Sequence, residues 1–161
     1  MLEVGGGASA LVDGLLDRGY TDVTVVDLSE GALAKVRERL GPRASGVSFR
    51  QGDVRALELG RPVDVWHDRA VFHFLTTEED RASYHETLAR TLRPGGHVVL
   101  ATFALDGPEK CSGLPVQRYS PETLGQTLGD GYHLVRSLDH AHVTPAQKEQ
   151  RFTYAAFRRE A

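Results

Sequence analysis

Leu2-Glu3-Val4-Gly5-Gly6-Gly7-Ala8-Ser9 reads as a short apolar strand running into a glycine turn and then into a helix. Glycine suits such a turn because the chain bends sharply there, with positive φ accessible, and because a ligand can approach backbone that carries no Cβ. The same run also fits a tight turn with no ligand, so taken alone it leaves the two readings level. Asp27 tips the balance toward a ligand. It lies about twenty residues on, at the end of the next apolar run Val23-Thr24-Val25-Val26, where a carboxylate can accept hydrogen bonds from ribose hydroxyls.

Outward from this seed the pattern alternates between strand and helix. Ser9 to Arg18 carries a helical apolar stripe (Val12, Leu15, Leu16) closed by Gly19. Val23 to Val26 is apolar on both faces, as in a parallel strand covered by helices on each side. Ser29 is placed to cap a helix over Glu30 to Leu40, which Gly41-Pro42 ends. A third strand, Val47 to Arg50, leads into Gln51-Gly52-Asp53-Val54, and a fourth, Val63 to Trp66, leads into His67-Asp68-Arg69-Ala70-Val71-Phe72-His73. Thr77 and Asp80 form a capping box for a helix through Leu92, with Tyr84 and Leu88 inward, and Arg93-Pro94-Gly95-Gly96 terminates it. A central fifth strand spans His97 to Phe103. The stretch from Ala104 to Tyr119, with its glycines and prolines, reads as an irregular loop. Ser120-Pro121-Glu122 opens another helix. Two last strands, Tyr132 to Leu138 and Arg151 to Phe157, are joined by a turn running from His140 to Pro145. The expected fold is therefore α/β: a doubly wound, mostly parallel Rossmann-like sheet ending in an antiparallel hairpin. In such sheets ligands lie at the carboxyl ends of the strands, where Gly5 to Gly7, Asp27, Asp53 and His67 to Arg69 all fall.

Composition narrows the function classes. A chain of 161 residues suits one domain with a real core. The net charge of −3, with both signs interspersed, argues against electrostatic nucleic-acid binding. The single cysteine, Cys111, leaves no disulfide to form within the chain and nothing beside it to lower its pKa. No apolar run reaches bilayer length and no signal-peptide pattern opens the chain, so a cytosolic setting away from membranes is expected. No metal site is expected, because His140 and His142 lack a third ligand and read as two exposed histidines of a turn.

Assembled, these residues resemble a class I S-adenosylmethionine-dependent methyltransferase over nearly the whole chain. The acidic-x-Gly-x-Gly signature is matched by Glu3, Gly5 and Gly7, with Ser9 where a further glycine often stands. The second-strand acid is matched by Asp27, the adenine-contacting acid by Asp53, and the turn before the fifth strand by Leu92 to Gly96. Val65-Trp66-His67-Asp68-Arg69-Ala70 with Asp80-Arg81 and Tyr84 resembles the thiopurine methyltransferase group, whose Trp-Asp-Arg-Gly-Ala segment here has His67 interposed and the glycine absent. The resemblance implies that S-adenosylmethionine is bound and S-adenosylhomocysteine released. It implies a cofactor site of Glu3, Gly5, Gly6, Gly7, Asp27, Leu28, Asp53, Val54 and Asp68. It also implies a single domain over 1–161 without the family's N-terminal cap helices, its site open or closed by a second subunit in a homodimer.

Methyl transfer from a sulfonium is an in-line displacement, so alignment and exclusion of water dominate. Where a nucleophile must lose a proton, His67, Asp68 and His73 are the candidate catalytic residues. Core packing competes for His73, between Phe72 and Phe74, and an ion pair of Asp68 with Arg69 competes for Asp68. The acceptor expected is a small molecule with a sulfur, selenium or nitrogen nucleophile. A protein-lysine methyltransferase shares the fold, a non-catalytic cofactor-binding module is a further alternative, and a nicotinamide-dependent oxidoreductase ranks lower because the glycine turn lacks full G-x-G-x-x-G spacing.

Overall fold

The computed structural model describes residues 1–144 and 146–161, so Pro145 of the expected last turn lies outside the described residues. Its main strands are β1 (Leu2–Val4), β2 (Val23–Asp27), β3 (Val47–Gln51), β4 (Val63–Arg69), β5 (Leu92–Phe103), β8 (Tyr132–Val143) and β9 (Glu149–Arg159). They form one seven-stranded sheet in the order β3-β2-β1-β4-β5-β9-β8. The first five are parallel, and β9 is antiparallel to both β5 and β8. Strand order reverses between β1 and β4, which opens a crevice at their carboxyl ends.

Local sequence explains the helices. In α2 (Glu30–Leu40) the Ser29 side chain accepts the Ala32 N–H, and in α3 (Glu78–Thr91) Thr77 accepts the Asp80 N–H. Ser120 and Thr123 cap each other's backbone at the start of α4 (Pro121–Leu128), with Pro121 at the first helical position, where no N–H is needed. Helix α1 (Leu11–Asp17) and α2 bring Val12, Leu33, Val36 and Leu40 onto Val23, Val25 and Val47. On the opposite face α3 and α4 bring Tyr84, Leu88, Leu124 and Leu128 onto Trp66, Val98, Leu100 and Phe157. Fully burying each such side chain contributes on the order of 2 kcal/mol.

Four expectations need correction. Strand β4 continues through Arg69 instead of ending at Trp66, because its ladder to β5 runs on as Asp68 opposite Leu100 and Arg69 opposite Ala101. Strand β5 begins at Leu92, so Arg93 to Gly96 belong to a strand with a register shift between Val63 and Val65. The expected loop from Ala104 to Tyr119 contains a small hairpin, β6 (Lys110–Cys111) with β7 (Leu114–Pro115), turned by Ser112 and Gly113 at φ 52° and 82°. The last hairpin is longer than expected. Pairing reaches Val143 opposite Glu149, which puts His140 (exposed) and His142 (half-buried) in β8 and not in a turn.

Along β4, Trp66 and Asp68 point into the α3 side, while Val65, His67 and Arg69 point to the other face and stay half-buried. That second face carries Val99 and Ala101 of β5 and Tyr154 and Ala156 of β9 in register with them. A small third cluster, Ala101, Phe103 and Phe152, sits at its carboxyl end.

Candidate functional site

A cleft of about 520 Å³ opens at the carboxyl ends of β1, β2 and β4. Val4, Val26, Val54 and Leu75 give it apolar walls, Asp27, Asp53 and Asp80 line it with carboxylates, and Leu114 and Pro115 of the small hairpin stand at its edge.

The glycine turn is held by the protein itself. Gly5 sits at φ 68° and donates its N–H to Val26 O at 2.8 Å. A Cβ there would lie 2.3 Å from Val71 Cγ2, so no other residue fits without moving the turn after β4. Gly7 donates to Asp27 Oδ2 at 3.0 Å, and Ser29 donates to Asp27 Oδ1 at 2.8 Å. Asp27 thus clips the glycine turn to the start of α2, and each carboxylate oxygen keeps acceptor capacity toward the cleft. Asp53 is differently placed. Its Oδ1 accepts both the Arg55 N–H at 2.9 Å and Arg55 Nε at 3.0 Å, and Arg55 also pairs with Asp80. The Arg55 guanidinium holds the Asp53 carboxyl below the usual carboxylate range. Leu28 is 69% exposed at the mouth and Val54 is 5% exposed in the wall.

Of the residues expected to bind cofactor, Gly5, Asp27, Leu28, Asp53 and Val54 line the cleft. Gly6 and Gly7 are buried and do not line it, and Glu3 is 1% exposed. Burial pushes the Glu3 carboxyl pKa up, and Oε2 has no hydrogen-bond partner among the described residues. The residues expected to be catalytic are not brought together. Asp68 is fully buried on the α3 side, accepting N–H groups of Val71 (3.0 Å) and Phe72 (3.1 Å) and the Tyr84 hydroxyl (2.7 Å). Tyr84 in turn accepts Trp66 Nε1 at 2.8 Å. Burial raises the Asp68 pKa to about 6 against the pull of these donors. His73 is fully buried, its Nδ1 accepting the Phe103 N–H at 3.4 Å and its ring packed on Phe74 and Phe103. His67 stands on the opposite face from Asp68, its Nδ1 without a partner among the described residues. Burial lowers both histidines to about 4, so both are neutral at pH 7.

Among the described residues no group of three or more His, Cys, Asp or Glu is arranged to hold a metal, and no helix is long and apolar enough to cross a membrane. The sequence reading missed Arg55, Phe74 and the Leu114-Pro115 edge. The Ser112-Gly113 dipeptide, a turn signal, was the available clue to the last of these.

Residues 1–96, more than half of the chain, match the family model described as a methyltransferase domain. The chain belongs to that methyltransferase family. Over 109 residues (65% of this chain and 16% of the relative) the domain is 34% identical to the eEF1A lysine and N-terminal methyltransferase of Danio rerio. Over 104 residues (64% and 41%) it is 33% identical to the ubiquinone biosynthesis O-methyltransferase of Alkalilimnicola ehrlichii. The match thus spans less than half of either relative. Among solved structures, the N-methyltransferase NodS from Bradyrhizobium japonicum, crystallised with S-adenosyl-L-homocysteine, superposes with a TM-score of 0.77 at 19% identity, covering 99% of this chain and 77% of that one. This likeness establishes the methyltransferase fold: the mostly parallel sheet closed by an antiparallel pair.

Proposed function

We propose that this methyltransferase domain, residues 1–161, binds S-adenosylmethionine in the cleft and aligns its methyl group with a sulfur, selenium or nitrogen atom of a small-molecule acceptor. The observation that carries the reading is Asp27. A carboxylate fixed by two backbone N–H groups at the end of β2, with lone pairs toward an apolar-walled cleft, suits a ribose diol, and Val54 and Leu75 suit the faces of a base. The cofactor supplies a methyl group on a positively charged sulfur. The chain's own residues bind, orient and exclude water.

In this reading Asp53 meets the adenine amino group while keeping its bond to Arg55. Asp68 acts as a positioning residue: through the Val71 and Phe72 N–H groups it holds the turn that presses against Gly5. His67, neutral and half-buried on the other face of β4, is the group proposed to take a proton from the acceptor, although its unpaired Nδ1 is itself buried. His73 serves packing, and a second copy of the chain is a candidate cover for that face.

Calorimetric titration with S-adenosylmethionine and S-adenosylhomocysteine, with NAD as control, tests the proposal. Micromolar binding of both sulfur ligands, weakened about tenfold or more by Asp27→Ala, is expected. Binding of NAD alone would overturn it. A second reading, transfer to a protein lysine, draws on the likeness to the Danio rerio enzyme named for that activity. A panel of thiols, amines and lysine peptides at saturating cofactor separates the two, and binding without any methylated product would assign a cofactor-binding module instead.

A further inference from the structure

Arg69, the last residue of β4, is held in an unusual state for a surface cation. Its Nε donates to the Tyr154 hydroxyl at 3.0 Å, and its guanidinium carbon lies 4.6 Å from the centre of the Phe152 ring, over its face. One edge of the fork is thereby fixed and one face is stacked. Among the described residues, neither Nη nitrogen has a hydrogen-bond partner and no carboxylate pairs with the group. By contrast Arg55, at the cleft, has its Nη nitrogens taken by Asp53 and Asp80.

The place matters as much as the state. The Arg69 carbonyl oxygen lies 3.9 Å from where a Cβ on Gly5 would stand, so this residue marks the border between the cleft and the open face of the sheet. Near it, His67, two residues earlier on the same face, has its Nδ1 buried and without a partner among the described residues. His73, packed on Phe103 at the edge of the same cluster, is fully buried with Nε2 unpaired. The Tyr154 hydroxyl, accepting from Nε, keeps its own proton to donate.

We infer that Arg69 is the subsite for a carboxylate carried by the methyl acceptor, an inference that rests on the proposed methyl-transfer reading. The free end of a guanidinium offers two parallel N–H donors that match a carboxylate's two oxygens, and fixing Nε and the ring face removes the rotamer freedom that such a contact would otherwise cost. A single planar cation with one hydroxyl beside it fits a monoanionic carboxylate better than a phosphate, which draws on several cations. The acceptor then lies beside Tyr154, with its anionic end at Arg69 and its nucleophile toward Gly5 and Val71.

Benzoate and its neutral isostere benzamide are the probes, titrated into the protein with and without saturating S-adenosylhomocysteine and followed by the amide signals of Ala101, Phe152 and Tyr154. Benzoate is expected to bind saturably and benzamide about tenfold more weakly, with Arg69→Met lowering benzoate affinity about tenfold while S-adenosylhomocysteine affinity stays within about twofold. Arg69→Lys, which keeps the charge and loses the fork, should fall between. Tyr154→Phe, which leaves the core intact, should weaken benzoate by a few-fold. Equal binding of benzoate by wild type and Arg69→Met, or equal binding of benzoate and benzamide, would overturn the inference. So would a loss of S-adenosylhomocysteine affinity in Arg69→Met, which would give the guanidinium to the cofactor's own carboxylate. Failure of S-adenosylhomocysteine to bind the wild-type protein would sink the methyl-transfer reading instead, while the cofactor-free titration still decides whether Arg69 recognises a carboxylate.

Discussion

Two faces of one strand behave oppositely. On the α3 side of β4, Trp66, Tyr84 and Asp68 form a dry chain in which each polar atom has a partner. On the other side, His67 and Arg69 are half-buried and keep polar atoms unpaired. The first arrangement is what a fold needs, since an unpaired group at zero exposure costs more than its bond contributes. The second arrangement leaves the Nη nitrogens of Arg69 to the proposed carboxylate of the acceptor. Burial alone therefore does not mark function on this strand.

The same substitution on each face sharpens the contrast. Tyr84→Phe leaves Trp66 Nε1 without a partner in the core and removes one of the two donors to Asp68 Oδ2, which keeps the Phe72 N–H, and is expected to lower stability by about 2 kcal/mol, read from the urea unfolding midpoint. Tyr154→Phe, where water replaces the lost hydroxyl, is expected to cost under about 1 kcal/mol. Equal losses would erase the distinction between the faces.

Stability against pH sharpens it further. His67 and His73, lowered to about 4, are neutral in the folded protein between pH 4 and 6.5 while protonated in the unfolded chain, so each favours unfolding as pH falls. Asp68, raised to about 6, acts in the opposite sense between its ordinary value and pH 6, holding a proton that the unfolded chain has lost. Glu3, whose carboxyl burial also raises, acts in the same sense as Asp68, so stability should fall by less than about 1.4 kcal/mol per pH unit on acidification through pH 5. His67→Gln should flatten that slope toward zero and Asp68→Asn should steepen it, both measured by urea unfolding at a series of pH values.

The smallest effect concerns Ala70, which lies at φ 65° between the two faces with its N–H bonded to Ala101 O at 2.9 Å. This is where the thiopurine-type segment carries glycine. Ala70→Gly should relieve left-handed strain and raise the thermal midpoint by the equivalent of up to about 1 kcal/mol. No change would mean that the turn is shaped by Asp68 alone.

The residues that were legible in the sequence are those whose own neighbours decide their structure. Ser29 with Glu30 to Leu40 gave the α2 boundaries, and the strand ends at Val4 and Asp27 were placed by the glycine run and the acid after an apolar stretch, whereas the bond from Gly7 to Asp27 depends on a distant partner. Other features depended on distant partners and stayed hidden. Strand β4 continues through His67-Asp68-Arg69, a polar run, because the β5 ladder and the Val71 and Phe72 N–H groups satisfy it. Strand β8 is exposed on both faces over most of its length, so no alternation announces it, and only β9 fixes its extent. The isolation of Asp68 from His67 follows from the two-residue period of a strand, which could be applied only once β4 was known to reach Arg69.

Strand β9 lies between β5 and β8 although it follows both in sequence. On a ribosome, β1 to β5 can emerge and pair while Val98, Leu100 and Phe103 still belong to an unpaired sheet edge. That edge closes only when β9 is synthesised and enters the sheet with β8 behind it, a step of high sequence separation that is slow relative to local folding. Until then the nascent domain offers strand-pairing partners a template, and it is during this interval that a chaperone would find it.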